Sequence, residues 1–540
     1  MGAIISTLRS LRLALAILLQ QIFVDDVSTR LLVSPGLPLP NPTTSFWLLP
    51  ESRTLKRIQS PSLPARADIV VIGCGITATA LLRELYRQNP ALNIVVLEAR
   101  GVCTGATGRN GGHIFEGPHN EYPRLKSTFG GDAAARIIHF RLRHLEEIRA
   151  AIHEEGAECL ARSEVREVAG TEVYFDDSTI EEGVGKLRQW KADLPEMARE
   201  WDHVDAETAK KELHIPDAAG AISGPCGALW PYRMCTSILE RLVREQPDRL
   251  KIESYTPVES ISYDPSTSTY SIATPRGVVT TPTVVHTTNG WASHLIPGFR
   301  GKVFPMQGQM CEFALLYLSL HNSTRPTTST VNPDGTATIS NGEMMFGGAW
   351  AQTGNNGMDV VGSADDTKLN YLAAGHLSGL LPYVFGSGVT KGATRAWEGA
   401  AVKNMWTGVL GMSADCMPWV GKLPTAISAR GQPKNGSVEL QGEGEGSVKT
   451  GEWCAVGFTG EGMVNCWGSA TALARMLLGE DQGGRNVAMT EQRVRAAKGE
   501  AEVKSWSERP LEEWFPAQFL VSQARVKKAD PVDMFDSMGR

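Results

Sequence analysis

The sequence predicts an α/β fold of more than one domain, with a parallel sheet built of βαβ units. Three observations predict it. Two short runs of β-branched and aliphatic residues, Ile69-Val70-Val71-Ile72 and Ile94-Val95-Val96-Leu97, flank a segment of helical composition, Thr77 to Gln88, that Asn89-Pro90 stops. Continuous apolar runs of this length are the mark of strands buried on both faces of a parallel sheet. The chain has 540 residues, too many for one ordinary core, so two or three domains are expected. Finally, 55 glycines exceed the average share of about 7% without any collagen period, which points to tight turns or to backbone approaching a ligand closely.

The first βαβ unit carries a motif. Gly73-Cys74-Gly75-Ile76-Thr77-Ala78 follows the first strand and opens the helix as G-x-G-x-x-A. The first glycine permits a tight turn, and the second lets backbone approach a pyrophosphate. The small Ala78 lets helix and strand pack closely. The helix N-terminus then offers free N–H groups and a positive dipole to the phosphates. Glu98 closes the second strand 20 residues after Ala78, where an acid is expected to hold a ribose hydroxyl. Strand, turn, helix, strand and acid in register predict a Rossmann-like dinucleotide site, open at this point to FAD or NAD.

Further along, Asp132 to Glu155 carries apolar residues at helical spacing. Residues 163–224 mix short strands with charged helical pieces, Thr236 to Glu245 predicts a short helix, and Lys251 to His286 is β-rich. Polar segments at 321–343 and 426–451 interrupt the pattern, and a last helix is expected from about Met463 to Leu478. Residues 34–66 hold seven prolines and predict an extended arm.

Composition excludes several classes. With 53 basic and 59 acidic side chains the net charge is −6, no footprint for nucleic acid. Nine cysteines without a CxxC pair suggest neither a disulfide framework nor a zinc site, and no metal is expected. They predict an intracellular protein, of the cytoplasm or a peroxisome-like compartment. Near the N-terminus, Leu13 to Val24 is apolar but for Gln20 and Gln21. As a helix it would reach roughly 18 Å, short of a ~30 Å hydrocarbon core. Met1-Gly2 with Ser6 fits the loose myristoylation pattern. A plain amphipathic leader, a targeting signal and membrane association through this segment all stay open, as does the oligomeric state.

A second glycine-rich loop decides between cofactors. Gly105-Ala106-Thr107-Gly108-Arg109-Asn110-Gly111-Gly112-His113 resembles the A-S/T-G-R-N-G-G loop of the D-amino-acid oxidase-like FAD-dependent oxidoreductases. It is most similar to the glycine/sarcosine oxidase and γ-glutamylputrescine oxidase branch in its fungal form. The resemblance recurs in order at Val284 to Gly290, at Pro305-Met306-Gln307-Gly308-Gln309-Met310, at Trp406-Thr407-Gly408 with Asp415 to Gly421, and at Gly457-Phe458-Thr459-Gly460-Glu461-Gly462-Met463. Gln307 stands where that family's pattern has arginine, which removes one candidate anchor for a substrate carboxylate.

The resemblance implies FAD as cofactor, with Gly73, Gly75, Ile76, Thr77, Ala78, Glu98, Ala99 and Val258 around its ADP half. Arg109, Asn110, Gly111 and Gly112 would border pyrophosphate and isoalloxazine, and Gly460, Glu461, Gly462 and Met463 the pyrimidine edge. It implies a Rossmann-like FAD/NAD(P)-binding domain (66–120, 225–298, 405–480) interleaved with a mixed-sheet α+β substrate domain (121–224, 299–404). Residues 1–65 would be leader and arm, and 481–540 a C-terminal extension. The implied activity is hydride transfer from a small-molecule substrate, an amine or amino acid, to flavin N5, with dioxygen as acceptor. No catalytic side chain is assigned, since such a cofactor carries the redox chemistry. Tyr232 and Trp350 either contact substrate or pack in the core. His113 touches the ring, bonds it covalently or satisfies backbone groups, the last being favoured. Arg395 binds a carboxylate or is exposed, and Cys416 reads as a buried free thiol. Two rivals remain: a tailoring oxidoreductase of a fungal secondary-metabolite pathway acting on a larger non-amine substrate, and a silent flavin-binding scaffold.

Overall fold

In the computed structural model, the described residues are 27, 29–213, 215–315, 329–331, 337–339, 342–385, 401–433, 437–439, 447–480, 505–506 and 509–538. A six-stranded sheet forms the centre. Its order is Trp419–Lys422, Gly451–Val456, Thr283–His286, Ile69–Ile72, Ile94–Leu97 and Leu250–Glu253. Every neighbouring pair is parallel except the edge strand Trp419–Lys422, which runs antiparallel to its neighbour. The two runs predicted as buried strands are buried at all four positions. Helices Ile76–Gln88 and Cys466–Leu477 pack against each other in the main core.

A second sheet is antiparallel throughout. Strands Val303–Leu315 and Ala401–Ser413 pair along their length, with a register shift between Glu312 and Phe313, and Gly342–Gly348 takes the other edge of Val303–Leu315. A third sheet is built on Gly220–Ala228. Arg166–Tyr174 lies along one edge, and His113–Ile114 and Asp202–Asp205 pair with it as well. The long helix Gly131–Glu154 matches the predicted amphipathic stretch. The helix expected from Thr236 starts five residues earlier, at Pro231, because a proline at the first helical position loses no hydrogen bond. The last helix begins at Cys466 and not at Met463, since Gly462–Val464 forms a separate 3₁₀ turn. The segment boundaries drawn at 224/225 and 404/405 fall inside strands Gly220–Ala228 and Ala401–Ser413.

The described residues of both terminal segments lie against this body. In the C-terminal one, Trp506 and Trp514 stack with ring centroids 5.0 Å apart and cover Phe140 of the long helix. Arg525 pairs both carboxylate oxygens of Asp415 at 2.8 and 2.9 Å, and its guanidinium stacks 3.7 Å over Trp419. Among the described residues, no helix is long and apolar enough to cross a membrane. The apolar run Leu13 to Val24, Arg395 and the glycine-rich stretch 442–446 lie outside the described residues.

Candidate active site

The site is assembled where the parallel strands end. After Ile72 the chain turns at Gly73, whose φ of +97° disfavours any side chain, and a Cβ there would sit 3.0 Å from the Thr287 carbonyl oxygen. Gly75 caps the following helix without a side chain. A Cβ at Gly75 would stand 2.8 Å from Thr107 Oγ1, the atom that accepts the Ile76 N–H at 2.9 Å. The two glycine-rich loops are thus hydrogen-bonded to each other. Glu98 holds the turn from the next strand: its oxygens accept Cys74 N–H at 2.8 Å and Arg100 N–H at 2.9 Å. Burial pushes the Glu98 pKa up, against the lowering effect of those backbone donors.

The second loop is fixed from within. Asn110 donates to the carbonyls of Ala106 and Thr107 and accepts the Gly112 N–H at 2.7 Å. Arg109 is buried and lies in the cavity wall, its guanidinium tied to protein groups. Its guanidinium donates to Thr104 O at 2.8 Å and Thr407 O at 2.7 Å, and lies 3.9 Å from Asp366, which also binds Arg100 through both oxygens at 2.9 Å. Burial lowers the Arg109 pKa to about 10, with Asp366 opposing that shift.

These loops border one cavity of about 360 Å³, within the size range of small-ligand sites. Glu98, Ala99 and Val258 line one part of it, and Gly73 to Thr77 lie beside them. Met306, Met310, Gly348 and Trp350 bring the antiparallel sheet to the same space, and Gly460, Gly462 and Met463 add the turn before the last helix. Three lining residues carry buried polar atoms without a protein partner: Thr288 Oγ1, Trp291 Nε1 and His294 Nε2. Bare glycine backbone at a helix N-terminus, an acid at the next strand end and unpaired polar atoms are what a dinucleotide requires. Among the described residues, no cluster of His, Cys, Asp or Glu could hold a metal.

Several expected residues are placed elsewhere. Ala78 is fully buried one turn into its helix and serves packing only. Gly112 faces Leu229 O and the Trp47 ring, which leave no room for a Cβ. Glu461 turns from the cavity to Arg141 Nη2 at 3.1 Å, because that buried arginine, also 3.2 Å from Glu116, draws carboxylates to it. Tyr232 is a core residue whose hydroxyl accepts the Ser52 N–H at 3.0 Å. His113 is exposed on the strand after the loop and is not part of the cavity wall. Gln307 also points away, donating to Asp365 O at 2.6 Å, so its departure from arginine leaves the cavity unchanged. Trp350 does line the cavity. Nothing local marks Trp291, His294 or Gly36 to Pro38 as wall residues in the sequence; the turn after Thr283–His286 is the one signal for the first two.

Fold and site together define a dinucleotide-binding α/β oxidoreductase whose ligand space is walled by an antiparallel sheet. The family model for FAD dependent oxidoreductase (DAO) matches residues 68–476, and the chain belongs to that family. It is 21% identical over 375 residues to γ-glutamylputrescine oxidoreductase of Escherichia coli (strain K12), covering 67% of this chain and 77% of the relative. Among solved structures, glycine oxidase from Geobacillus kaustophilus shares the fold with a TM-score of 0.51 at 15% identity, over 78% of this chain and 97% of that one. L-proline dehydrogenase from P. horikoshii does so with a TM-score of 0.52 at 18% identity, over 85% and 98%.

Proposed function

We propose that this protein oxidises the C–N bond of a small amine or amino acid, with dioxygen as the electron acceptor. One observation carries the reading: a single cavity joins the Gly73–Glu98 cradle to the antiparallel-sheet wall of Met306, Met310 and Trp350. The relatives point the same way, since their names specify a glutamylated amine, glycine and proline. FAD, when bound there, supplies the hydride acceptor.

The chain's own residues would hold and orient. Gly73 to Thr77, Glu98, Ala99 and Val258 take the ADP half, with the phosphates at the helix N-terminus and a ribose hydroxyl on the Glu98 carboxylate. The Cys74 and Ile76 N–H groups there are already held by Glu98 and Thr107. Asn110 and Gly111 border the ring system, and Arg109 ties the loop to Thr407. Gly460 to Met463 lie at the N-terminal end of the last helix, whose dipole favours negative charge there. Met306, Met310 and Trp350 exclude water from the substrate side. In this reading 66–120, 225–298 and 405–480 hold the cofactor, and 299–404 supplies the substrate-side wall, while the cavity lining includes no residue of 121–224.

The test is anaerobic mixing of purified protein with a panel of amines and amino acids. Bleaching of the flavin band, then peroxide on reoxygenation, is expected. A colourless protein that takes up no added FAD overturns the cofactor reading. Bound flavin that no amine bleaches overturns the amine substrate.

A further inference from the structure

The family-matched segment begins at residue 68, yet part of the cavity wall lies before it. Gly36, Leu37 and Pro38 line the cavity, on the arm that is helical over residues 29–32 and irregular from residue 34 onwards. We propose that this arm is a built wall of the cofactor site: it closes over the bound dinucleotide and sets its rate of escape. The proposal rests on the FAD reading of the cavity.

The arm is pinned on both sides of the wall it makes. Upstream, Arg30 donates to the carbonyls of Met358, Asp359 and Val361 at 2.7 to 3.2 Å, and Ser34 Oγ bonds the cavity residue His294 at 2.8 Å. Downstream, Thr43 Oγ1 accepts from Arg109 at 3.2 Å and from the Thr407 N–H at 2.9 Å, joining the arm to the very arginine that fixes the second glycine loop. Trp47 Nε1 then donates to the Asn110 carbonyl of the same loop, and its ring fills the space a Cβ at Gly112 would need. Three of these contacts end on the cavity-lining residues His294, Arg109 and Asn110, and a chain segment merely lying on a surface has no need of them.

The C-terminal extension supports the same wall. Val27 and Leu31 of the arm share an apolar cluster with Met534 of the tail and with Met306 and Trp350 of the cavity. Gly301 N–H donates to Leu31 O at 2.9 Å, and Lys302 Nζ to Ala529 O at 2.5 Å, so both extensions are anchored at the start of the strand that carries Met306. The two segments outside the family-matched residues therefore meet beside the cavity.

The experiment measures FAD binding to apoprotein prepared from the full chain, by flavin fluorescence, for wild type, Arg30→Ala and Leu37→Gly. Hydrogen exchange of the arm amides is followed with and without FAD. The expected result is a dissociation constant raised about tenfold in both variants, chiefly through faster release, and at least tenfold slower exchange across residues 34–43 of the wild type when FAD is present. Leu37 is only partly buried, so Leu37→Gly is expected to leave the apoprotein's melting temperature unchanged. Wild-type affinity in Leu37→Gly together with FAD-independent exchange of the arm overturns the proposal. Failure of the wild type to bind FAD at all instead overturns the cofactor reading beneath it.

Discussion

Gly75→Ala tests the cofactor cradle at its tightest point. The new methyl would stand 2.8 Å from Thr107 Oγ1, closer than Cβ atoms pack, so the threonine must rotate. Rotation removes the acceptor of the Ile76 N–H, now made at 2.9 Å. An unpaired buried donor costs about 1–3 kcal/mol. Thr107 is itself part of the cavity wall, so the displaced side chain also intrudes on the ligand space. The donor is left unpaired with or without ligand, so that cost lowers the melting temperature. The intruding Thr107 side chain should instead raise the FAD dissociation constant about tenfold, roughly 1.4 kcal/mol, read by fluorescence titration of apoprotein. A double-mutant cycle identifies the cause: Thr107→Ala alone loses the hydrogen bond without a clash, so Gly75→Ala/Thr107→Ala should bind no worse than Thr107→Ala. Gly185→Ala is the control, since a Cβ there meets nothing within 4 Å and the residue is not in the cavity wall. Wild-type affinity in Gly75→Ala, or simple additivity in the cycle, would refute the reasoning.

Other outcomes follow from packing and charge. Trp514→Ala removes a ring stacked on Trp506 and Phe140 and should cost about 3–5 kcal/mol, seen as a lower melting temperature; a neutral result would mean the C-terminal extension is not docked. Burial raises the Glu116 pKa, with Arg141 opposing and Glu461 and Glu121 reinforcing the shift. A carboxyl raised in the folded state stabilises it at low pH, a contribution lost as pH climbs from the ordinary value of 4.5 through the folded one. Glu116→Gln should accordingly flatten the fall of melting temperature with pH above about 4.5; an unchanged slope would contradict the assignment. All nine cysteines are unbridged and eight are buried, leaving Cys416 partly accessible. A thiol reagent should label no more than one site quickly in the native protein, and rapid labelling of several would show the core to be open.

What the sequence revealed was mostly backbone. The G-x-G-x-x-A turn, Glu98 and the loop from Gly105 to Gly112 could be located because their chemistry depends on local conformation: a positive φ at Gly73, a helix N-terminus, a strand end. Side-chain direction was another matter. Arg109 has the residue type of a phosphate ligand, yet its guanidinium is committed to Thr407 O and Asp366, groups some 260 to 300 positions away in the chain. Glu461 lies among cavity residues but is drawn to Arg141 on a distant helix. Gln307 departed from the family pattern where departure mattered least, because its strand turns that position towards Asp365. The arm was harder still. Its prolines announce extended chain, but nothing local announces where extended chain will lie.

The central claim is that one cavity holds FAD against a small nitrogen-bearing substrate. Anaerobic absorbance of the purified, FAD-loaded protein during titration with amines and amino acids tests it most directly. One FAD per chain is expected, with bleaching of its band by at least one member of the panel and peroxide formed when air is readmitted. A chain that cannot be loaded with FAD, or a loaded flavin that no amine or amino acid reduces, would contradict it.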